Sequence, residues 1–156
     1  MGQKFQLEGF DEFETQLKDI AKGYRADLVV RQTLIKAARK ALEPALANIK
    51  GMAPYDNKNT SGIHLRETAK IDARIPNERD KNSDFYREGD VAWGMVSVKK
   101  SAVSLSQEFG NARTPAHPYL RNGFETAIPQ ILSILKSELA EIIPNYMIKL
   151  RRRKIK

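Results

Sequence analysis

The chain of 156 residues contains no cysteine. Disulfide frameworks, thiolate zinc sites, cluster ligation and cysteine nucleophiles are therefore excluded. It contains only two histidines, His64 and His117, so any metal site would draw most of its ligands from carboxylates. No stretch reaches the ~18 consecutive apolar residues of a spanning helix. The opening residues, MGQKFQLEGF, have no apolar run of the kind a secretory signal needs. Gln6 stands where a myristoylation signal wants Ser or Thr. Phosphate-binding glycine loops and nucleophile elbows are missing as well. These absences lead to the expectation of a non-enzymatic protein with no cofactor and no bound metal, one that does not enter a membrane.

What is present fits one globular domain. Hydrophobic residues make up 41% and charged residues 29%, a balance that supports a packed core. Lys and Arg number 27 against 19 acidic residues, for a net charge of +8. Six of the 27 fall within the last eight residues, KLRRRKIK. The body is thus close to neutral, and we divide the chain into a domain over 1–148 and a basic tail over 149–156. Lys149, Arg151, Arg152, Arg153, Lys154 and Lys156 are the candidate phosphate contacts. No aromatic residue interleaves them to stack bases, which argues against specific single-strand reading.

Patterning predicts the elements. Residues 4–8 alternate around Phe5 and Leu7, as a short half-buried strand does. Phe10, Phe13, Leu17, Ile20 and Ala21 then recur at helical spacing, with Asp11, Glu12 and Glu14 in the first turn. A longer helix begins after Asp27. Its apolar face is Val30, Leu34, Ala38, Ala41, Leu42, Ala45 and Ile49, and Pro44 is expected to bend or end it before Gly51. Residues 51–62 and 76–89 read as polar loops, mobile in the isolated chain. Between them, Leu65–Ile75 is predicted as a strand. Asp90–Lys99 is predicted as its antiparallel partner, apolar on both faces and hence central. Ser101–Phe109 is compatible with a strand or a helical turn. A last helix starts near Tyr119, with Pro129 as a kink and Pro144 as its stop.

The resulting fold class is α+β: a small antiparallel sheet carrying the long helix and the C-terminal helix. The predicted core is Leu7, Phe13, Leu34, Leu42, Leu46, Ile71, Val91, Trp93, Val96, Phe124, Ile131, Leu135 and Leu139.

One segment carries a resemblance. Glu108-Phe109-Gly110, a short spacer, then Pro115-Ala116-His117-Pro118-Tyr119-Leu120-Arg121 and Phe124 resemble the tail-completion or head–tail joining proteins of long-tailed bacteriophages, the lambdoid gene-product-ten type. Gly9-Phe10-Asp11-Glu12-Phe13, Ala53-Pro54-Tyr55, Ser61-Gly62 and Leu65-Arg66-Glu67-Thr68 follow the same family order. The likeness spans roughly residues 4–142 and departs from the family pattern in three places. The Gly62-to-Leu65 spacing is one residue longer, and Asn111 and Asn122 replace the usual Thr and Pro. The resemblance implies a structural virion subunit, a tail-completion or tail-terminator protein at the head-proximal end of the tail. Its expected form is a homo-oligomeric ring, a hexamer matching tail symmetry. The expected partners are tail-tube and neck proteins, with non-specific contact to lumenal DNA. The expected location is the virion, and the host cytoplasm during assembly. Tyr55, Leu65, Arg66, Glu108, Phe109, His117, Tyr119 and Arg121 are the interface candidates it supplies. The alternative is a nucleic-acid-binding module acting through the basic tail.

Overall fold

The computed structural model describes residues 28–58, 60, 62–87 and 92–154. The strand predicted over 4–8, the helix predicted over 10–21, and core candidates Leu7, Phe13 and Val91 lie outside these. The described elements run α1 (Leu28–Ala41), α2 (Glu43–Met52), a 3-10 turn (Leu65–Thr68), β1 (Lys70–Arg74), α3 (Glu78–Lys81), β2 (Trp93–Ser97), α4 (Ala102–Phe109) and α5 (Tyr119–Lys154). The fold is α+β.

Pro44 marks the break between α1 and α2. It occupies the first turn of α2, where its missing N–H would be unbonded in any case. Only Leu42 separates the helices. Its amide still donates to Ala38 O at 3.1 Å, and its own carbonyl accepts from Leu46 N at 3.0 Å. The hydrogen-bond ladder therefore carries through, and the break is a single residue rather than the end of the helical course. Gly51 lies inside α2, which runs one residue further to Met52.

β1 and β2 pair antiparallel, with Lys70 opposite Ser97, Ile71 opposite Val96, Ala73 opposite Gly94 and Arg74 opposite Trp93. The inner face carries Ala73 and Gly94 against α1. A Cβ on Gly94 would lie 2.9 Å from Leu42 Cδ1. Trp93 and Met95 share the other face with Asp72 and Arg74. Among the described residues β2 has one neighbour, so the central position expected for it is not observed there.

The predicted strand starts too early. Leu65–Thr68 forms a 3-10 turn because local polar contacts compete with the ladder. Glu67 Oε2 accepts from His64 N at 3.2 Å, and Thr68 Oγ1 donates to Leu65 O at 2.8 Å. The expected second loop also contains structure. Asn77 caps the single turn α3, accepting from Arg79 N and Asp80 N, while Asp80 Oδ2 accepts from Asn77 N at 2.9 Å.

α5 packs along α2 and α1. The contact is tightest at Gly123, where a Cβ would fall 2.9 Å from both the N and Cα of Ile49. Only a residue without a side chain permits this approach. Tyr119, Leu120 and Phe124 in the first turns reach the cluster formed with Val96 of β2 and Val98 just beyond it. Pro144 does not stop the helix, which continues to Lys154. Asn145 Nδ2 donates to Glu141 O at 2.9 Å, serving a carbonyl in the turn the proline disturbs.

The core differs from its prediction. The buried apolar residues include Ala37, Ala41, Ala45, Ile49, Ala53, Ala69, Ala73, Tyr119 and Ala127. Of the predicted set, Leu42 and Leu139 are buried, whereas Leu34, Leu46, Ile71, Trp93, Val96, Phe124, Ile131 and Leu135 are half-buried. Small residues sit where backbones approach closest, and the larger ones frame that seam.

Candidate functional site

α4 settles the ambiguity of Ser101–Phe109 as a helix. Ser101 is its N-cap, accepting from Ser104 N at 3.0 Å, and Ser104 Oγ accepts from Ser101 N at 2.8 Å. Gly110 ends it at φ +74°, a conformation L side chains rarely adopt, and its amide donates to Ser106 O at 2.9 Å.

The helix is inside out. Its buried residues are Ser104 and Glu108, one turn apart on a single stripe. Its apolar residues face solvent: Val103 is 59%, Leu105 42% and Phe109 65% exposed. Glu108 explains the inversion. Its two carboxylate oxygens accept from Leu120 N at 2.8 Å and Arg121 N at 3.1 Å. These are orphan amides of the first turn of α5, where the helix dipole also favours a negative charge. α4 is thus anchored by capping a neighbour, leaving its apolar flanks uncovered.

One flank of α4 forms a wall of a cleft of about 590 Å³. Val103 and Gln107 line it on the helix side, and Pro54, Tyr55, Ile63, His64 and Leu65 line it opposite. Lys99 and Ser101 close the end. Tyr55 and His64 stack with ring centroids 4.1 Å apart, and the Arg66 guanidinium carbon lies 4.2 Å from the Tyr55 ring centroid. Arg66 Nη2 also donates to Ala53 O at 3.4 Å, tying the loop to the end of α2.

The sequence-derived interface residues separate into two groups. Tyr55, Leu65 and Arg66 come together at the cleft. Glu108, Phe109, His117, Tyr119 and Arg121 gather at the α4–α5 junction. Phe109, His117 and Arg121 are exposed there. His117 N donates to Gln107 O at 2.7 Å, which fixes the connecting loop beside the cleft wall. Glu108 and Tyr119 are corrected from surface to interior. Tyr119 is 3% and Glu108 8% exposed, because one fills the Ile49 cluster and the other caps α5. Burial pushes the Tyr119 hydroxyl up, and the Glu108 carboxylate adds to the shift. Lys149, Arg151, Arg152, Arg153 and Lys154 ride on the last turns of α5, a helix where a separate tail was expected; Lys156 lies outside the described residues.

Sequence reasoning missed Val103, Ile63 and Gln107. Ile63 is 69% exposed and sits among turn residues, so no periodicity marks it. The usable signal was in α4 itself. Read as a helix, Ser101–Phe109 places its serines and glutamate against its apolar residues, and only one stripe can face inward.

Among the described residues, no group of three or more His, Asp or Glu is placed to hold a metal ion. No described helix is long and apolar enough to cross a membrane. No protein-family profile, curated protein or solved structure matches the chain.

Proposed function

We propose that this chain is a structural subunit of a long-tailed phage, a tail-completion or tail-terminator protein that joins the head-proximal end of the tail to the neck. The observation carrying the proposal is the inverted α4, which keeps its polar stripe for α5 and turns Val103, Leu105 and Phe109 outward. Exposed apolar residues on both flanks of one helix support a protein–protein interface. It lies in the segment whose residues resemble the phage family. A homo-oligomeric ring, with tail-tube and neck proteins as further partners, is the assembly that fits. The test is to mix the purified protein with siphophage tail tubes at micromolar concentration and image the ends. Rings capping one end of each tube are the expected result; bare ends at all concentrations would overturn the reading.

A second reading is favoured by the helical course of residues 149–154. Five cations within six helical residues suit phosphate, as in contact with lumenal DNA. DNA affinity should fall steeply with salt and weaken on removal of 149–156. A shallow salt slope, unchanged by the truncation, would exclude it.

A further inference from the structure

The cleft beside α4 has apolar walls in Pro54, Tyr55, Ile63, Leu65 and Val103, and its lining carries one cation, Lys99, and one carboxylate, Asp56. Residues 99–121 contain Lys99, Lys100, Arg113 and Arg121, and one acidic residue, Glu108, which is buried and committed to α5. Across the cleft, Asp56 and Glu67 accept from Lys58 N and His64 N and keep their charge, offset by Lys58 and Arg66, so the excess positive charge comes from residues 99–121. An occupant that brings apolar side chains in a stripe and carries negative charge fits these surroundings.

Among the described residues, exposed large apolar side chains outside the cleft include those on the outer flank of α4, Ile148 near the end of α5, and Phe85, which has no apolar partner at helical spacing. The outer flank of α4, with Leu105 and Phe109, lies between Lys100 and Arg113 in sequence and would meet the cleft with like charge. The end of α5 is more basic still. Residues 10–21 differ: Asp11, Glu12, Glu14 and Asp19 stand against a single Lys18, and Phe10, Phe13 and Leu17 recur at the spacing of one helical face. An amphipathic helix set into an apolar groove through anchors at this spacing is a common recognition mode.

Chain length decides whose segment it is. Leu28 and Met52 are the far ends of α1 and α2, roughly 37 Å apart by helical rise when the two are collinear and still about 30 Å with a wide bend between them. The cleft begins just beyond Met52. Residues 22–27 span at most about 20 Å when fully extended. That is too short to carry the whole of 10–21 into the cleft of its own chain.

We propose that the cleft between the Tyr55–Leu65 loop and α4 receives residues 10–21 of a second copy of this chain, so that copies join head to tail. Such an interface is heterologous and closes into a ring when the rotation between copies permits. The inference rests on the proposed function only in taking a second copy as the occupant.

The absence of cysteine makes the test clean, because every disulfide then comes from introduced residues. The full chain carrying Phe13→Cys and Val103→Cys should give a ladder of disulfide-linked dimers and larger species under mild oxidation. A second pair, Phe10→Cys with Ile63→Cys, keeps the test valid should the first fail to fold. Bridging requires the two Cα atoms to lie within about 7 Å, so random collision will not mimic the ladder. A monomer that has lost its thiols would mean the segment reaches its own cleft, and would overturn the proposal. No disulfide from either pair would also overturn it, as would a ladder formed only by Phe109→Cys with Val103→Cys. The two readings fail separately. A ladder with bare tail-tube ends removes the phage assignment and leaves the interface; capped tubes with no cross-link on them remove the interface alone.

Discussion

Two of the contacts that hold α5 work in opposite ways. Along α2 the helix is held by shape. Gly123 lets its backbone rest on Ile49, and Ala45, Ala53 and Ala127 are buried close by. At its first turn it is held by hydrogen bonds, through the carboxylate of Glu108. The first contact hides small apolar groups and shows polar ones. The second hides polar groups and shows Val103, Leu105 and Phe109. Burial in this molecule therefore follows what each neighbour requires: a backbone needs room, and a helix N-terminus needs acceptors.

The shape contact breaks most easily by addition. Gly123→Val places a branched side chain where even a Cβ would sit 2.7 Å from Ile49 Cγ1 and 2.9 Å from the Ile49 backbone. Backbone cannot rotate away, so overpacking should cost about 3 kcal/mol despite the better helix propensity of valine. In urea melts the midpoint should fall with little change in slope. Gly94→Ala supplies the contrast. Its nearest neighbour is the end of the Leu42 side chain, which can turn aside, and the loss should stay under about 1 kcal/mol. Equal losses at the two positions would show that the α2–α5 seam is no tighter than the sheet–helix contact.

The hydrogen-bonded contact breaks by deletion. Glu108→Ala leaves two amides of α5 without acceptors and should cost about 2 kcal/mol, with Glu108→Gln retaining part of it. Hydrogen exchange should quicken first at Leu120 and Arg121. Unchanged protection at both amides would mean that α5 keeps its start without α4.

These two contacts also separate what the sequence reveals from what it hides. Alternation located β1 and β2, Pro44 located the α1–α2 junction, and Pro118-Tyr119 located the start of α5. Each is a local rule, set by pleat, by a missing N–H or by a fixed φ. The core was less legible, since large apolar residues were expected inside, whereas close helix approach buries alanine and leaves Ile131 and Leu135 half exposed. Nothing local marks Gly123 as a packing residue until Ile49 is known to face it. α4 was ambiguous for the complementary reason. Its buried stripe is polar, so a hydrophobic pattern points the wrong way. Pro144 was read as a stop on a local rule, but the turns on either side keep enough of their bonds to pass through it.

A smaller effect extends the hydrogen-bonded mode to the β1–β2 connection. The Arg74 guanidinium holds the Asp80 carboxyl below the usual carboxylate range, with the Asn77 amide adding to the shift. Arg74 Nη2 and Nε donate to the two oxygens at 2.7 and 3.1 Å. A folded value below the unfolded one means that the unfolded chain binds the proton first as pH falls. The stabilisation is complete above the ordinary carboxylate pKa of about 3.9 and disappears as pH drops through the lower folded value. Asp80→Asn should therefore reduce stability near neutrality and flatten its acid dependence. The check is a set of urea melts between neutral and strongly acidic pH. An unchanged acid slope would show that other carboxylates govern it.

The smallest effect is expected at Tyr119, where the two modes meet. Its ring fills the Ile49 cluster, yet its hydroxyl is buried without a hydrogen-bond partner among the described residues. Removing an unpartnered hydroxyl should cost little, so Tyr119→Phe should change stability near neutral pH by less than about 0.5 kcal/mol or raise it slightly. The difference should appear in alkali. Burial and the nearby Glu108 carboxylate raise the folded pKa of Tyr119, so above the ordinary value of about 10 the unfolded chain loses its proton first. The native state then holds the extra proton, and stability falls as pH rises toward the folded value. Tyr119→Phe removes that decline. Urea melts near neutrality and above pH 10 should therefore show the variant gaining on the wild type as pH rises. A loss of more than about 1 kcal/mol at neutral pH would mean instead that the hydroxyl is bonded, and that polar anchoring extends from α4 into the seam itself.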